Sequence, residues 1–140
     1  MKFYWQDITS KKYRIVYDYQ YQSNVIGFEG RTEFIDLDFD GLLTIRKNWL
    51  YDGPSGPTYD SPGGMRASAI HDAFYYLMRL GLVSTDTRRR VDTIFYEVMI
   101  EDGMPRDRAE IWFQGVARFA GYAAKPGSEP REKIFCIGKD

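Results

Sequence analysis

The chain contains one cysteine and one histidine in 140 residues. A lone Cys136 excludes an internal disulfide framework and any multi-cysteine zinc site. A lone His71 excludes a histidine-rich metal cage. An excess of charge of either sign is also missing: 19 Lys+Arg stand against 20 Asp+Glu, a net charge of −1. No global basic field therefore draws the chain to nucleic acid or anionic lipid, and no specific nucleic-acid binding is expected. No apolar run approaches the roughly 18 residues of a membrane span. The opening Met1-Lys2-Phe3-Tyr4-Trp5-Gln6-Asp7 lacks the apolar stretch of a signal peptide. A soluble protein of a reducing compartment is expected, in which Cys136 is a core thiol.

Apolar and aromatic material is plentiful, at 44% and 16% of residues, enough for one domain spanning residues 1–140. Residues 12–21 (KYRIVYDYQY) alternate polar and apolar side chains and predict a half-buried strand. Asn24–Phe28 and Thr32–Asp38 continue in that style. Asp40-Gly41 marks a turn between FIDLDF and LLTIRKNW and predicts a hairpin. From Asp52 to Gly64, seven of thirteen residues are Gly or Pro, a composition that breaks strand and helix alike. Long structureless loops within a domain are often functional.

From Met65 the apolar period changes to that of a helix. Ile70, Phe74 and Leu77 line one face, and Ala69, Ala73 and Leu80 much of the opposite one, as expected of a central, buried helix that stops at Gly81. A second helix starts near Thr85 or Asp86, presents Val91, Ile94, Phe95, Val98 and Met99, and ends at Gly103. Pro105 opens a third, with Ala109, Trp112, Phe113, Val116 and Phe119 inward and an end near Gly121 or Lys125-Pro126-Gly127. Ile134–Ile137 is a candidate last strand. The fold class is α+β, a small antiparallel sheet packed against three helices with a Gly/Pro-rich loop between them.

His71-Asp72, inside the most apolar helix, is the strongest chemical signal. A carboxylate buried there needs a partner, so Asp72 is expected to be buried and to contact an arginine or the Asp52–Pro57 turn. Neighbouring helical residues point about 100° apart, so another carboxylate must orient the His71 ring. Asp52 and Asp92 are the candidates, with Asp52 favoured because His71 sits midway along its helix. Asp52, His71 and Asp92 could serve catalysis, or hold a divalent cation together with Asp72. Equally, Asp72, Ser55 and Arg90 could form a structural polar cluster that pins the loop. Arg88-Arg89-Arg90 opposes the dipole at its helix N-terminus and needs another reason to be there. Arg88 and Arg89 could pair with carboxylates or bind a small anionic ligand. Ser55 lacks the surroundings of a nucleophile elbow. The eleven tyrosines suit a carbohydrate or protein contact face as well as ordinary strand packing.

Four segments, taken together, resemble the pattern of one known family. They are Trp49-Leu50-Tyr51-Asp52-Gly53-Pro54-Ser55-Gly56-Pro57, Arg66-Ala67-Ser68-Ala69-Ile70-His71-Asp72-Ala73-Phe74-Tyr75, Arg90-Val91-Asp92-Thr93-Ile94-Phe95 with Met99 one turn on, and Val116-Ala117-Arg118-Phe119-Ala120-Gly121. Their order resembles the phage and prophage family known as domain of unknown function thirteen-fifty-three, over roughly residues 40–121. Tyr51, Phe74 and Val91 depart from its usual Thr, Leu and Ala. The resemblance implies a viral or prophage origin among tail and lysis genes, partners among other phage proteins, and a place in the host cytoplasm or the virion. It supplies no activity. A phage accessory or virion-associated protein with a structural polar cluster is therefore the expected function. The alternatives are a metal-assisted hydrolase acting on cell wall or a nucleotide, and a module that binds a small anion.

Overall fold

A computed structural model of the chain describes residues 1–9, 12–51 and 62–119. Among these residues seven short strands precede three helices, as an α+β chain should. Strands β1 (Trp5–Thr9), β2 (Lys12–Ile15) and β7 (Leu50–Tyr51) form one antiparallel sheet in the order β1-β2-β7. Strands β3 (Tyr19–Gln22), β4 (Gly30–Arg31), β5 (Ile35–Leu37) and β6 (Leu42–Ile45) form a second, in the order β3-β6-β5-β4. Two small sheets thus stand where the sequence suggested one.

The continuous strand expected over 12–21 is two strands in different sheets. Alternation runs through both, but the chain leaves the first ladder after Ile15, whose carbonyl accepts from Asn48 N. It joins the second at Tyr19, opposite Ile45. Segment 24–28 is not a strand: Ser23 Oγ turns the chain by accepting from Val25 N and donating to the Gly41 carbonyl. Thr32–Asp38 keeps only Ile35–Leu37 as strand, because Thr32 closes a local turn onto Ile35. The Asp40-Gly41 hairpin is present, with Leu37 opposite Leu43 and Gly41 at φ +95°.

The helices are α1 (Pro62–Arg79), α2 (Arg88–Glu101) and α3 (Arg106–Phe119). Helix α1 begins three residues before Met65, with Pro62 in the first turn, where a missing N–H costs nothing. Gly81 and Gly103, both at positive φ, stop α1 and α2. A 3-10 turn, Thr85–Thr87, capped by Ser84 Oγ, leads into α2. One apolar core joins Ile15, Ile35, Leu37, Leu43, Ile45 and Tyr51 of the sheets to Ile70, Phe74 and Leu77 of α1 and to Val91, Phe95 and Trp112 beyond it. Helix α1 is the central element, buried on most of its circumference as its composition requires. Among the described residues no helix is long and apolar enough to cross a membrane. The expected last strand at Ile134–Ile137, Cys136 and most of the Gly/Pro segment lie outside the described residues.

Candidate functional site: a buried histidine between three helices

Helices α1 and α2 pack antiparallel, so residues four apart on one face those four apart on the other. His71 and Tyr75 of α1 thereby meet Asp92 and Arg88 of α2. The His71 Nε2–H donates to Asp92 Oδ1 at 2.7 Å, and the Tyr75 hydroxyl donates to the same oxygen at 2.7 Å. Arg88 Nε donates to the Tyr75 oxygen at 3.0 Å and lies 3.9 Å from Asp92 Oδ2. The guanidinium ends on α3, where its NH2 group donates to the carbonyls of Val116 at 3.0 Å and Ala117 at 2.7 Å. One network therefore crosses all three helices.

The site is closed. The side chains of His71 and Asp92 are 7% and 4% exposed. The His71 ring is held between Tyr75, at a centroid distance of 4.1 Å, and Phe95, at 4.9 Å. Its second nitrogen, Nδ1, faces Asp72 Oδ1 at 4.0 Å, an ion-pair separation rather than a hydrogen bond. Burial disfavours the imidazolium, but the Asp72 and Asp92 carboxylates outweigh it and hold the His71 pKa above its ordinary value. Burial and the neighbouring Asp92 carboxylate push the Tyr75 phenol well up, so it stays a neutral donor.

These positions revise several expectations. Asp92, ranked behind Asp52, is the carboxylate that orients His71. The turn between α1 and α2 is long enough for the helices to slide until mid-α1 faces the second turn of α2. Asp72, expected to be largely buried, is half-buried, with its side chain 35% exposed, and the Asp52–Pro57 turn expected beside it lies outside the described residues. The Asp72 Cα–Cβ direction is rotated about 100° from that of His71, so the carboxylate reaches the ring only at the Nδ1 side, at 4.0 Å. Arg90 lies outside the cluster: it is exposed, and its NH1 donates to the Asn24 carbonyl at 3.4 Å. Arg89 is exposed, while Arg88 turns inward, so the arginines do not converge on one ligand. Asp52 and Ser55 lie outside the described residues. Among the described residues, no three His, Cys, Asp or Glu side chains come together as a metal site.

No protein-family model, curated protein or solved structure matches the chain.

Tyr75 and the role of Arg88 were missed from sequence, although a signal was present. His71/Tyr75 and Arg88/Asp92 are both i,i+4 pairs, so each shares one helical face. A second cluster was missed entirely. Arg66 Nε and NH2 donate to the two Asp102 oxygens at 3.1 and 3.0 Å, NH2 also donates to Glu101 at 2.7 Å, and NH1 donates to the Tyr19 hydroxyl at 2.8 Å. Its partners are 47, 35 and 36 residues away in sequence, beyond the reach of local patterning.

Proposed function

We propose that the chain is a non-enzymatic accessory protein of a phage or prophage, associated with the virion or with the tail and lysis functions. Its Asp/Tyr/His/Arg cluster is a structural tie between helices. The observation that carries the structural reading is the commitment of His71: one ring nitrogen donates to Asp92, the other faces Asp72, and the ring is sealed from solvent. A general base or a metal ligand needs a nitrogen lone pair turned towards its target, and an imidazolium paired in this way has none to offer. Arg88 is similarly committed to Tyr75 and to α3 carbonyls, which weighs against an arginine-lined anion site. The viral part of the reading rests on the sequence segments around Asp52, His71 and Asp92, and it places the chain in the host cytoplasm or the virion with phage proteins as partners.

Mass spectrometry of purified particles from an induced lysogen that carries the gene tests the placement. Detection at a level comparable to known particle components is the expected result. A chain found only in the soluble lysate contradicts virion association. For the structural role, melting curves with EDTA and with added Mg²⁺, Mn²⁺ or Zn²⁺ are expected to coincide, and a saturable rise in Tm with any of these cations favours a metal site instead.

A further inference from the structure

We infer that the cleft between the N-terminal segment and the α1–α2 ends binds a neutral saccharide. The cleft is an open groove of about 410 Å³, lined by residues 1–5 together with Arg66, Glu101 and Asp102. That volume falls within the roughly 300–1,000 Å³ typical of small-ligand clefts. It lies at the far end of the α1–α2 pair from Arg88 and shares no residue with the His71 network.

Two observations together select the ligand class. The first is aromatic surface held in place. Phe3 stacks on Trp5 at 5.9 Å and 30°, and stands edge-on to the buried Tyr19 at 5.2 Å and 86°. Tyr4, 45% exposed, stands edge-on to Tyr17. Rings fixed by other rings lose little freedom on binding, and Phe3, Tyr4 and Trp5 in the lining supply aromatic surface of the kind that contacts the apolar C–H groups of a pyranose. The second is a wall of mixed polarity. Arg66 is tied to Asp102 and Glu101 through two of its nitrogens and to Tyr19 through the third. This arrangement holds the planar donor and the carboxylate acceptors rigidly beside one another. The Glu101 side chain, part of the lining, remains 69% exposed and keeps acceptor capacity beyond its bond to Arg66.

The side-chain charges of Arg66 and Lys2 balance those of Glu101 and Asp102 in the lining, so the cleft has no excess charge that would favour a cation or an anion. A purely apolar ligand would strand the carboxylates away from water. A neutral polyhydroxylated ring uses all three features, since each hydroxyl both donates and accepts while the ring face stacks.

Titration of the isotopically labelled chain with maltotriose, cellotriose and chitotriose, followed by amide and indole NMR signals, tests this. At least one trisaccharide is expected to shift the signals of Trp5, Arg66 and Glu101 saturably, leaving those of His71 and Asp92 in place. Glu101→Ala, at an exposed position, should weaken that binding about tenfold through loss of a charged acceptor. Trp5→Ala should abolish it, with the indole signals of Trp49 and Trp112 reporting that the core is intact. Silence from all three sugars at tens of millimolar overturns the inference. So does stronger binding of glucuronate or choline at the same signals, or a Glu101→Ala variant that binds like wild type.

Discussion

Asp92 and Asp72 show how one helical step decides the energetics of a carboxylate. Asp92 is buried and accepts from both His71 and Tyr75, so its removal strands a buried imidazolium and a phenol. Asp92→Ala should cost about 3–5 kcal/mol, the range for breaking one side of a buried pair, measured by urea unfolding. Asp72→Ala should cost less than Asp92→Ala, because Asp72 faces the His71 ring at 4.0 Å from a half-buried position, whereas Asp92 is buried and hydrogen-bonded at 2.7 Å. Equal costs for the two would contradict the buried pairing. The pH dependence follows from His71. Its folded pKa lies above its unfolded value, so the native state holds the proton more tightly. The stabilisation is fully present below about pH 6.5, the ordinary histidine value, and is lost as pH rises through the folded pKa. Unfolding free energies should therefore fall from pH 6 into the alkaline range in the wild type. In His71→Gln that fall should disappear.

Arg88 resolves at the level of elements why three arginines open a helix. Cations are unfavourable at a helix N-terminus and favourable near a C-terminus. The Arg88 side chain leaves the start of α2 and donates to carbonyls in the last turn of α3. Arg88→Ala should therefore loosen α3 more than α1. Hydrogen exchange should show protection falling in the last turns of α3 while the middle of α1 is unchanged, and a uniform loss across all three helices would contradict the tie. In the β5–β6 hairpin, Gly41 is required both by its φ of +95° and by space, since an added Cβ would lie 2.5 Å from the Ser23 carbonyl oxygen. Gly41→Ala should cost about 1–3 kcal/mol from the backbone conformation alone, and more from the clash. A Tm matching the wild type would show that the turn can relax.

Legibility differed between these elements for physical reasons. The three helices were readable because each carries a long apolar period and stops at glycines or starts at a proline. The strands were not, because alternation reports that a segment is half-buried and does not say with which ladder it pairs. Thus 12–21 reads as one strand although Ile15 and Tyr19 belong to different sheets. Strand β1 escaped notice for a related reason: Trp5 packs on Phe3, which in turn stands against Tyr19, a distant residue. The site was half legible. His71 and Asp92 were both named as candidates, but their pairing depends on how far α2 slides along α1, which no local pattern records.

At the scale of the molecule, two small sheets and three helices among the described residues share one core, and the polar chain from His71 through Asp92, Tyr75 and Arg88 to Val116 and Ala117 crosses the helical layer from α1 to α3. Such a chain fixes the register of the three helices in a way that apolar packing alone, tolerant of small slides, does not. Because His71 is the one histidine in the chain, its ring nitrogens give unambiguous signals, and nitrogen-15 NMR across a pH series tests that structural role most directly. The expected result is a charged ring at pH 6.5, titrating above the ordinary histidine value, with a slowly exchanging Nε2–H and no response to added Mg²⁺ or Zn²⁺. A ring that is neutral at pH 6.5, or whose signals move when either cation is added, would contradict it.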